Sequence, residues 1–161
     1  MAMELDDVVA ELEIRRALYT YCRGVDRGDA ALIAAAYHDD ADENHGSFKG
    51  TGREFAEYLV PLMDSAPDSS NHNITNVLIN RKGNRAHVES YFIVFHALDD
   101  GDRAFVTGRY LDRFEQRVSE WKIAERRVVI DADTPATGML ELGDYPRGRR
   151  RENDLSHEWM Q

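Results

Sequence analysis

The segment Tyr21-Cys-Arg-Gly-Val-Asp-Arg-Gly-Asp29 separates two stretches of helical sequence and carries a carboxylate, Asp26, between two glycines and two arginines. Before it, apolar side chains recur every three or four residues over 4–22, a spacing typical of an amphipathic helix. Gly24 is a natural terminator for that helix. The last residue of the segment, Asp29, is a suitable N-cap for a second helix. The pattern therefore predicts that Asp26 lies in a short bend between two helices.

Two further helical segments are predicted in the first half of the chain. The alanine-rich stretch 30–37 favours a second helix, which the acidic run 38–42 ends. A short extended piece, 43–48, and a glycine-containing turn lead to a third helix predicted over 53–64. Pro61 is expected to kink that helix or to mark its last turn.

The second half of the chain has the composition of β-strands. Valine, isoleucine, threonine and aromatic residues are concentrated between tight-turn sequences, which predicts four long strands over 73–80, 85–98, 103–116 and 121–130. Helices followed by an antiparallel meander indicate an α+β domain with the helices on one face of the sheet. Because the composition changes after Asp131, we predict one domain over 1–133 and a C-terminal tail over 134–161.

The overall composition excludes several classes of protein. The 161 residues are 42 % hydrophobic and 31 % charged, which is enough apolar material for one core. A net charge of −10 argues against nonspecific nucleic-acid binding and against attraction to an anionic membrane surface. The single cysteine, Cys22, cannot form an intrachain disulfide. Since neither a signal-peptide pattern nor a membrane-spanning apolar run is present, a cytoplasmic protein is expected.

Asp26 and His72 are the candidate acid/base residues. An imidazole titrates near neutrality and therefore suits proton transfer. Each residue also has an ordinary explanation, because aspartate is common in turns and a histidine beside asparagines is commonly a surface or hydrogen-bonded structural group. Our central hypothesis is that Asp26 faces inward and pairs with His72 in a closed pocket.

Aromatic and histidine side chains are candidates for the wall of such a pocket. Tyr21, near the end of the first helix, is either a core residue or points its hydroxyl into a cavity. The aromatic residues of the two long central strands, Tyr110 among them, either pack against helices or form an aromatic-binding wall. His87 and His96 are nine residues apart and face opposite sides of one strand, and the apolar neighbours of His96 favour it as the inward one.

Arg126 and Arg127 interrupt an otherwise apolar last strand. Because successive strand residues face opposite sides, one of the two is expected to face the interior, where it needs a carboxylate partner or an anionic ligand. The sequence contains no zinc-binding spacing, phosphate loop, dinucleotide motif or nucleophile elbow. We therefore predict neither a metal nor a cofactor.

Three short motifs in order resemble one family. They are Tyr21-x-x-x-x-Asp26-x-x-Asp29, Asn71-His72-Asn73 at the start of a strand, and Trp121-Lys-Ile-Ala-Glu-Arg-Arg127. The chain over about 4–133 thereby resembles the SnoaL-like branch of the nuclear transport factor 2-like superfamily, which includes scytalone dehydratase, hexachlorocyclohexane dehydrochlorinase and bile acid 7α-dehydratase. This resemblance implies a cone-shaped α+β barrel, in which three N-terminal helices close a strongly curved, mostly antiparallel sheet around a central pocket.

The resemblance also implies roles for individual residues. Asp26 and His72 would be a catalytic acid/base dyad that works without a cofactor, and Tyr21 would line the pocket. Arg126 falls on the position of a late-strand arginine of the dehydrochlorinase, with Arg127 as the alternative. Tyr110 stands where scytalone dehydratase has an asparagine, and His96 falls near a pocket histidine of that enzyme. We therefore assign Tyr21, Tyr110, His96 and Arg126 to substrate binding.

The resemblance and the residues together predict a cofactor-independent lyase, dehydratase-like, acting on a small cyclic or aromatic hydroxylated compound. A retro-aldol C–C lyase that releases an aldehyde, an isomerase, and a noncatalytic small-molecule-binding or assembly module remain open as alternatives, because a fold does not determine a function. The family resemblance further implies a homo-oligomer, a trimer or dimer, formed through the convex or edge surface of the sheet.

Overall fold

A computed structural model describes residues 4–64, 69–97 and 103–136 of the chain, with the backbone alone at residues 103 and 134–136. The described residues form three helices and six strands: α1 (Leu5–Arg27), α2 (Ala30–Ala35), β1 (Tyr37–His45), β2 (Phe48–Gly50), α3 (Gly52–Asp64), β3 (Ser70–Lys82), β4 (Arg85–Ala97), β5 (Arg103–Arg117) and β6 (Glu120–Ala136). The strands make one curved, unclosed sheet in the order β2-β1-β6-β5-β4-β3. Only the β1–β6 pair is parallel among these neighbours. The predicted cone-like α+β fold is confirmed.

The helices cover the inner face of the sheet because alternate side chains of each strand are apolar. In β4 five successive inner residues are buried: Ala86, Val88, Ser90, Phe92 and Val94. They pack with the buried stripe of α1, which includes Ile14, Leu18, Tyr21 and Cys22. Burial of this apolar surface is the main term that stabilises the cone.

The first helix is longer than its sequence pattern predicted. Gly24 does not end α1, which continues through Asp26 to Arg27 and stops at Gly28 with a left-handed backbone. Gly24 is needed inside the helix because α2 packs closely there. A Cβ at Gly24 would lie 2.7 Å from the backbone nitrogen of Ile33. The prediction that Asp26 lies in a bend was therefore wrong, and the residue projects from the last turn of α1.

The strand β1 was predicted only in part, because the extended piece expected over 43–48 covers no more than its last three residues. The second helix ends at Ala35 and not at Tyr37, and the acidic run 38–42 lies within β1. The inward side chains of β1 include Tyr37, Ala41 and Glu43, all buried. Its pairing with β6, distant in sequence, overrides the low strand preference of its acidic residues. The predicted turn after residue 48 likewise contains a short strand, β2.

The other predicted elements agree more closely with the structure. The strand that follows α3 begins at Ser70, three residues earlier than expected, so His72 lies within β3. Pro61 lies in the last turn of α3. The predicted turn over 99–102 and most of the loop over 65–70 lie outside the described residues. Among the residues described, no helix is long and apolar enough to cross a membrane.

The predicted boundary between domain and tail stays a prediction. The last strand passes the proposed limit at residue 133 and ends at Ala136. The tail from 137 to 161 lies outside the described part of the chain.

Candidate functional site

Asp26 contacts the beginning of β3 through three hydrogen-bond donors. Its Oδ1 lies 2.6 Å from Nδ1 of His72 and accepts a hydrogen bond of 3.1 Å from the hydroxyl of Ser70. The backbone N–H of His72 donates to both carboxylate oxygens, at 3.1 and 3.0 Å. The side chains of His72 and Asp26 are 9 % and 10 % exposed. The carboxylate is therefore held rigidly in a protected place, as an acceptor.

The contact with Asp26 determines which nitrogen of His72 carries a proton. A carboxylate accepts hydrogen bonds, so Nδ1 is the protonated nitrogen of the neutral ring and Nε2 presents a lone pair. No described residue donates to or accepts from Nε2 of His72. An aspartate that orients an imidazole in this way leaves the opposite nitrogen available as a base.

His96 lies on the same face of the sheet as His72, on the neighbouring strand β4. Their ring centroids are 6.1 Å apart and the rings are perpendicular. His87 is exposed on the outer face. The structure thus brings Asp26, His72 and His96 together where the end of α1 meets β3 and β4.

Arg126, Tyr21 and Tyr110 form a second cluster deeper in the fold, together with Asp112. Nε and Nη2 of Arg126 each donate to the Asp112 carboxylate at 2.7 Å. The guanidinium lies between two aromatic rings, with its central carbon 4.3 Å from the Tyr21 ring centroid and 4.1 Å from that of Tyr110. Arg126 is 0 % exposed. The inward arginine therefore has a carboxylate partner, and its assignment to substrate binding stays a prediction.

Arg127 faces the outer side of β6. Its guanidinium pairs with Asp42 and Glu125 on that side. Of the two arginines, Arg126 is therefore the one whose side chain points into the interior.

A third group of polar residues on β1 extends this buried cluster. The hydroxyl of Tyr37 donates to Oε2 of Glu43 at 2.7 Å and accepts from Nη1 of Arg126 at 3.4 Å. Oε1 of Glu43 lies 3.1 Å from Nδ1 of His45, whose ring stacks on Phe55. Glu43 is fully buried. The chain of contacts runs from the partly exposed His45 to the buried guanidinium.

Sequence reasoning missed Asp112 and Glu43 for different reasons. Asp112 stands between Tyr110 and Phe114 at a spacing of two, which places all three on one face of a strand. That spacing was a signal that a carboxylate faces inward, opposite the interior arginine. Glu43 carried no comparable signal, because it opened the short extended piece predicted over 43–48 and the strand before it was not recognised.

Burial controls the ionisation of this interior. It raises the pKa values of the Tyr21, Tyr37 and Tyr110 hydroxyls, with the nearby Arg126 charge opposing the change. Burial also raises the pKa of the Cys22 thiol to about 12. Burial is the largest single influence on the pKa of Arg126 and alone would lower it, but the charge and hydrogen bonds of Asp112, together with the neighbouring tyrosines, outweigh burial and the pKa rises. The tyrosines therefore stay protonated and able to donate hydrogen bonds at neutral pH.

Residues 6–127 match the sequence profile of the SnoaL-like domain family. The chain belongs to this family. The match runs from α1 to the middle of β6 and so includes both clusters of the SnoaL-like domain described above. No curated protein sequence matches the chain significantly.

Solved structures with the same fold are numerous. A provisionally assigned scytalone dehydratase from Novosphingobium aromaticivorans has 19 % identity and a TM-score of 0.72, with 86 % of this chain and 97 % of that one covered. A type 3 hexachlorocyclohexane dehydrochlorinase from Novosphingobium barchaimii has 20 % identity and a TM-score of 0.76, with coverages of 85 % and 97 %.

A third similar structure has a different assigned chemistry. It is a provisionally assigned aromatic ring hydroxylase from Novosphingobium aromaticivorans, with 18 % identity, a TM-score of 0.72, and coverages of 80 % of this chain and 94 % of that one. At these identities the likeness establishes the fold of the SnoaL-like domain and leaves its reaction to be argued from the site.

Proposed function

We propose that the protein is a cofactor-independent lyase in which Asp26 and His72 act as an acid/base dyad. The observation that carries this proposal is the 2.6 Å contact between Asp26 Oδ1 and His72 Nδ1, which leaves Nε2 with its lone pair. A buried aspartate that only capped the end of a helix would not need an imidazole from a strand 46 residues away. A base of this kind typically accelerates proton transfer by about 10²–10⁴-fold.

The proposed reaction is a β-elimination. Nε2 of His72 removes a proton from a substrate carbon, and the electrons of that C–H bond form a C=C bond as the neighbouring C–O bond breaks. Asp26 stabilises the imidazolium that results. The departing hydroxide takes a proton from the imidazolium, or from a donor such as His96 or the hydroxyl of Tyr110 that the imidazolium then reprotonates, and leaves as water. The dyad then returns to its starting state.

The proposed substrate is a small cyclic or aromatic hydroxylated molecule. Support comes from Val94, which lies opposite His72 on β4, and from Phe92, the next inner residue of that strand, whose ring packs against that of Tyr110. Further support comes from two structurally similar proteins named for eliminations, a dehydratase and a dehydrochlorinase. Retro-aldol cleavage and isomerisation need the same base and remain competing reactions in the same site.

The test is a screen of cyclic hydroxylated compounds for loss of water without added cofactor. The readout is the ultraviolet absorbance of the new double bond. With an active compound, Asp26→Asn and His72→Gln are each expected to lower kcat by about 10²–10⁴-fold, the usual contribution of a general base. His87→Gln is the matched control, because this histidine is exposed on the outer face of the sheet. Its activity should equal that of the wild type.

The competing functions have distinct outcomes. Release of an aldehyde without loss of water would replace the dehydratase assignment by a C–C lyase. If the wild type binds an aromatic ligand, converts none of the compounds, and keeps the same affinity in His72→Gln, the protein is a noncatalytic binding module and the proposal is wrong.

A further inference from the structure

Ser70, the first residue of β3, contributes a hydroxyl to the candidate site. The residue is 5 % exposed, and its Oγ donates to Oδ1 of Asp26 at 3.1 Å. The same carboxylate oxygen lies 2.6 Å from Nδ1 of His72. One oxygen of Asp26 therefore accepts hydrogen bonds from two side chains, the buried serine and the imidazole that the carboxylate orients.

The location of Asp26 does not favour a negative charge. Asp26 lies in the last turn of α1, where backbone carbonyls without helical partners give the helix end a partial negative charge. Asp26 is also buried, and burial disfavours the charged form of a carboxyl group. The carboxylate therefore depends on hydrogen-bond donors, which favour its charged form.

The donors from β3 act differently on the two oxygens of Asp26. The backbone N–H of His72 reaches both of them, at 3.1 and 3.0 Å, and so does not distinguish between them. The hydroxyl of Ser70 reaches Oδ1. Because the rotation of an aspartate carboxylate about its Cβ–Cγ bond is only weakly restricted, a donor to one oxygen helps to fix that rotation. Ser70 thus holds Oδ1 where it can bind Nδ1 of His72.

We propose that Ser70 is a positioning residue of the dyad, an inference that rests on the proposed function. The serine acts through Asp26, because its hydroxyl fixes the rotation of the carboxylate and stabilises its charge. The carboxylate then keeps the proton on Nδ1 of His72 and leaves Nε2 as the base. In this role Ser70 affects the rate of the chemical step and leaves the binding of substrate unchanged.

The first test needs no substrate. Nitrogen NMR of isotope-labelled histidines distinguishes a neutral ring protonated at Nδ1 from one protonated at Nε2, and His72→Gln identifies the signals of His72. The wild type is expected to show the Nδ1 form, and Ser70→Ala should convert a measurable fraction of the ring to the Nε2 form. An unchanged ring in Ser70→Ala would overturn the proposal and leave the dyad intact. A wild type protonated at Nε2 would overturn the dyad as well.

The second test is kinetic and uses a compound that the wild type converts. Ser70→Ala is expected to lower kcat by about 10-fold with KM unchanged, since a hydrogen bond to a charged group commonly accounts for at least that factor. A higher KM with an unchanged kcat would make Ser70 a substrate contact and overturn the proposal. If no compound is converted, the NMR result alone decides.

Ser90→Ala is the matched control for both tests. Ser90 is fully buried on the inner face of the neighbouring strand β4, and its hydroxyl has no hydrogen-bond partner within the described residues. The change removes the same atom from the same interior without touching the dyad, so kcat, KM and the His72 signals should equal those of the wild type. An equal loss of kcat in Ser90→Ala and Ser70→Ala would show a general effect of lost packing and contradict the proposal.

Discussion

Arg126 is buried together with one charge that balances it, and this makes the pair sensitive to the loss of either member. Arg126→Met and Asp112→Leu are each expected to lower the free energy of unfolding by about 3–5 kcal/mol, because each leaves an uncompensated buried charge. The double variant removes both charges, so its free energy of unfolding should decrease by less than the sum of the decreases in the two single variants. Urea denaturation of the four proteins measures this coupling.

The matched control for that cycle is a surface pair. Arg113 and Glu125 lie 2.8 Å apart, but the arginine side chain is 64 % exposed. Removing either member should change stability by less than about 1 kcal/mol, as is usual for exposed ion pairs. If single changes at Arg126 or Asp112 lower the free energy of unfolding no more than changes at the surface pair do, the interior is hydrated.

Cys22 is a thiol that folding should protect. Burial raises its pKa to about 12, so at pH 8 the folded protein contains almost no thiolate. Alkylation by iodoacetamide should therefore be slow in the native protein and fast in urea, in proportion to the unfolded fraction. Since the pKa is raised above the ordinary value of about 8.5, the stability from this group is complete below that pH and is lost as pH rises towards 12. Rapid native alkylation at pH 8 would contradict this burial.

Gly108 permits the close approach of three strands in the middle of the sheet. A Cβ there would lie 2.2 Å from the carbonyl oxygen of Val129 and 2.5 Å from Cζ of Phe92. The phenyl ring can move aside, but the carbonyl belongs to the backbone of β6. Gly108→Ala is therefore expected to lower the free energy of unfolding by about 3 kcal/mol, the upper part of the range for overpacking.

The experiment on Gly108 includes two comparisons. Thr107→Ala changes the adjacent position, whose side chain is only partly buried, and should have a small effect. Phe92→Leu combined with Gly108→Ala should restore only part of the loss, because it relieves the ring and not the carbonyl. Complete recovery in the double variant would mean that β6 can shift.

The strands that the sequence predicted best are those whose pairing partners follow directly in the chain. β4 and β5 agree with their predicted limits within one residue, because alternating side chains and tight turns are local signals. The first six residues of β1 were missed because the pairing of β1 with β6 spans most of the chain and these residues include an acidic run. Local sequence can indicate neither a parallel partner nor the glycine inside α1 that a second helix requires.

The candidate site was predictable only in part for the same reason. Local pattern explains Asp26 as a turn residue and His72 as a strand-end histidine, and nothing in either segment relates the two. The ordered motifs of a family supplied the pairing, and the structure places the two side chains in contact. Asp112 could have been predicted as an inward residue, since its spacing from Tyr110 and Phe114 places it on the inner face of β5.

The cone is also tied together by ion pairs between distant elements, and these should make its stability depend on acid. Asp7 of α1 pairs with Arg81 of β3, Asp40 of β1 with Arg117 of β5, and Asp131 of β6 with Arg109 of β5. Hydrogen bonds from these arginines lower the pKa of each carboxyl below its usual value. A lowered folded-state pKa contributes stability that is present above the unfolded pKa, about 3.9, and is lost as pH falls through the folded value.

The melting temperature is therefore expected to be nearly constant around neutral pH and to fall modestly below about pH 4, because exposed pairs each contribute little. The triple variant Asp7→Asn, Asp40→Asn and Asp131→Asn should have a lower melting temperature at neutral pH. Its melting temperature should also fall less on acidification, because the three ion pairs are already absent. High salt should narrow the difference between the two proteins, because exposed pairs are screened. Parallel pH profiles for the wild type and the triple variant would show that these three ion pairs are not the source of the acid sensitivity.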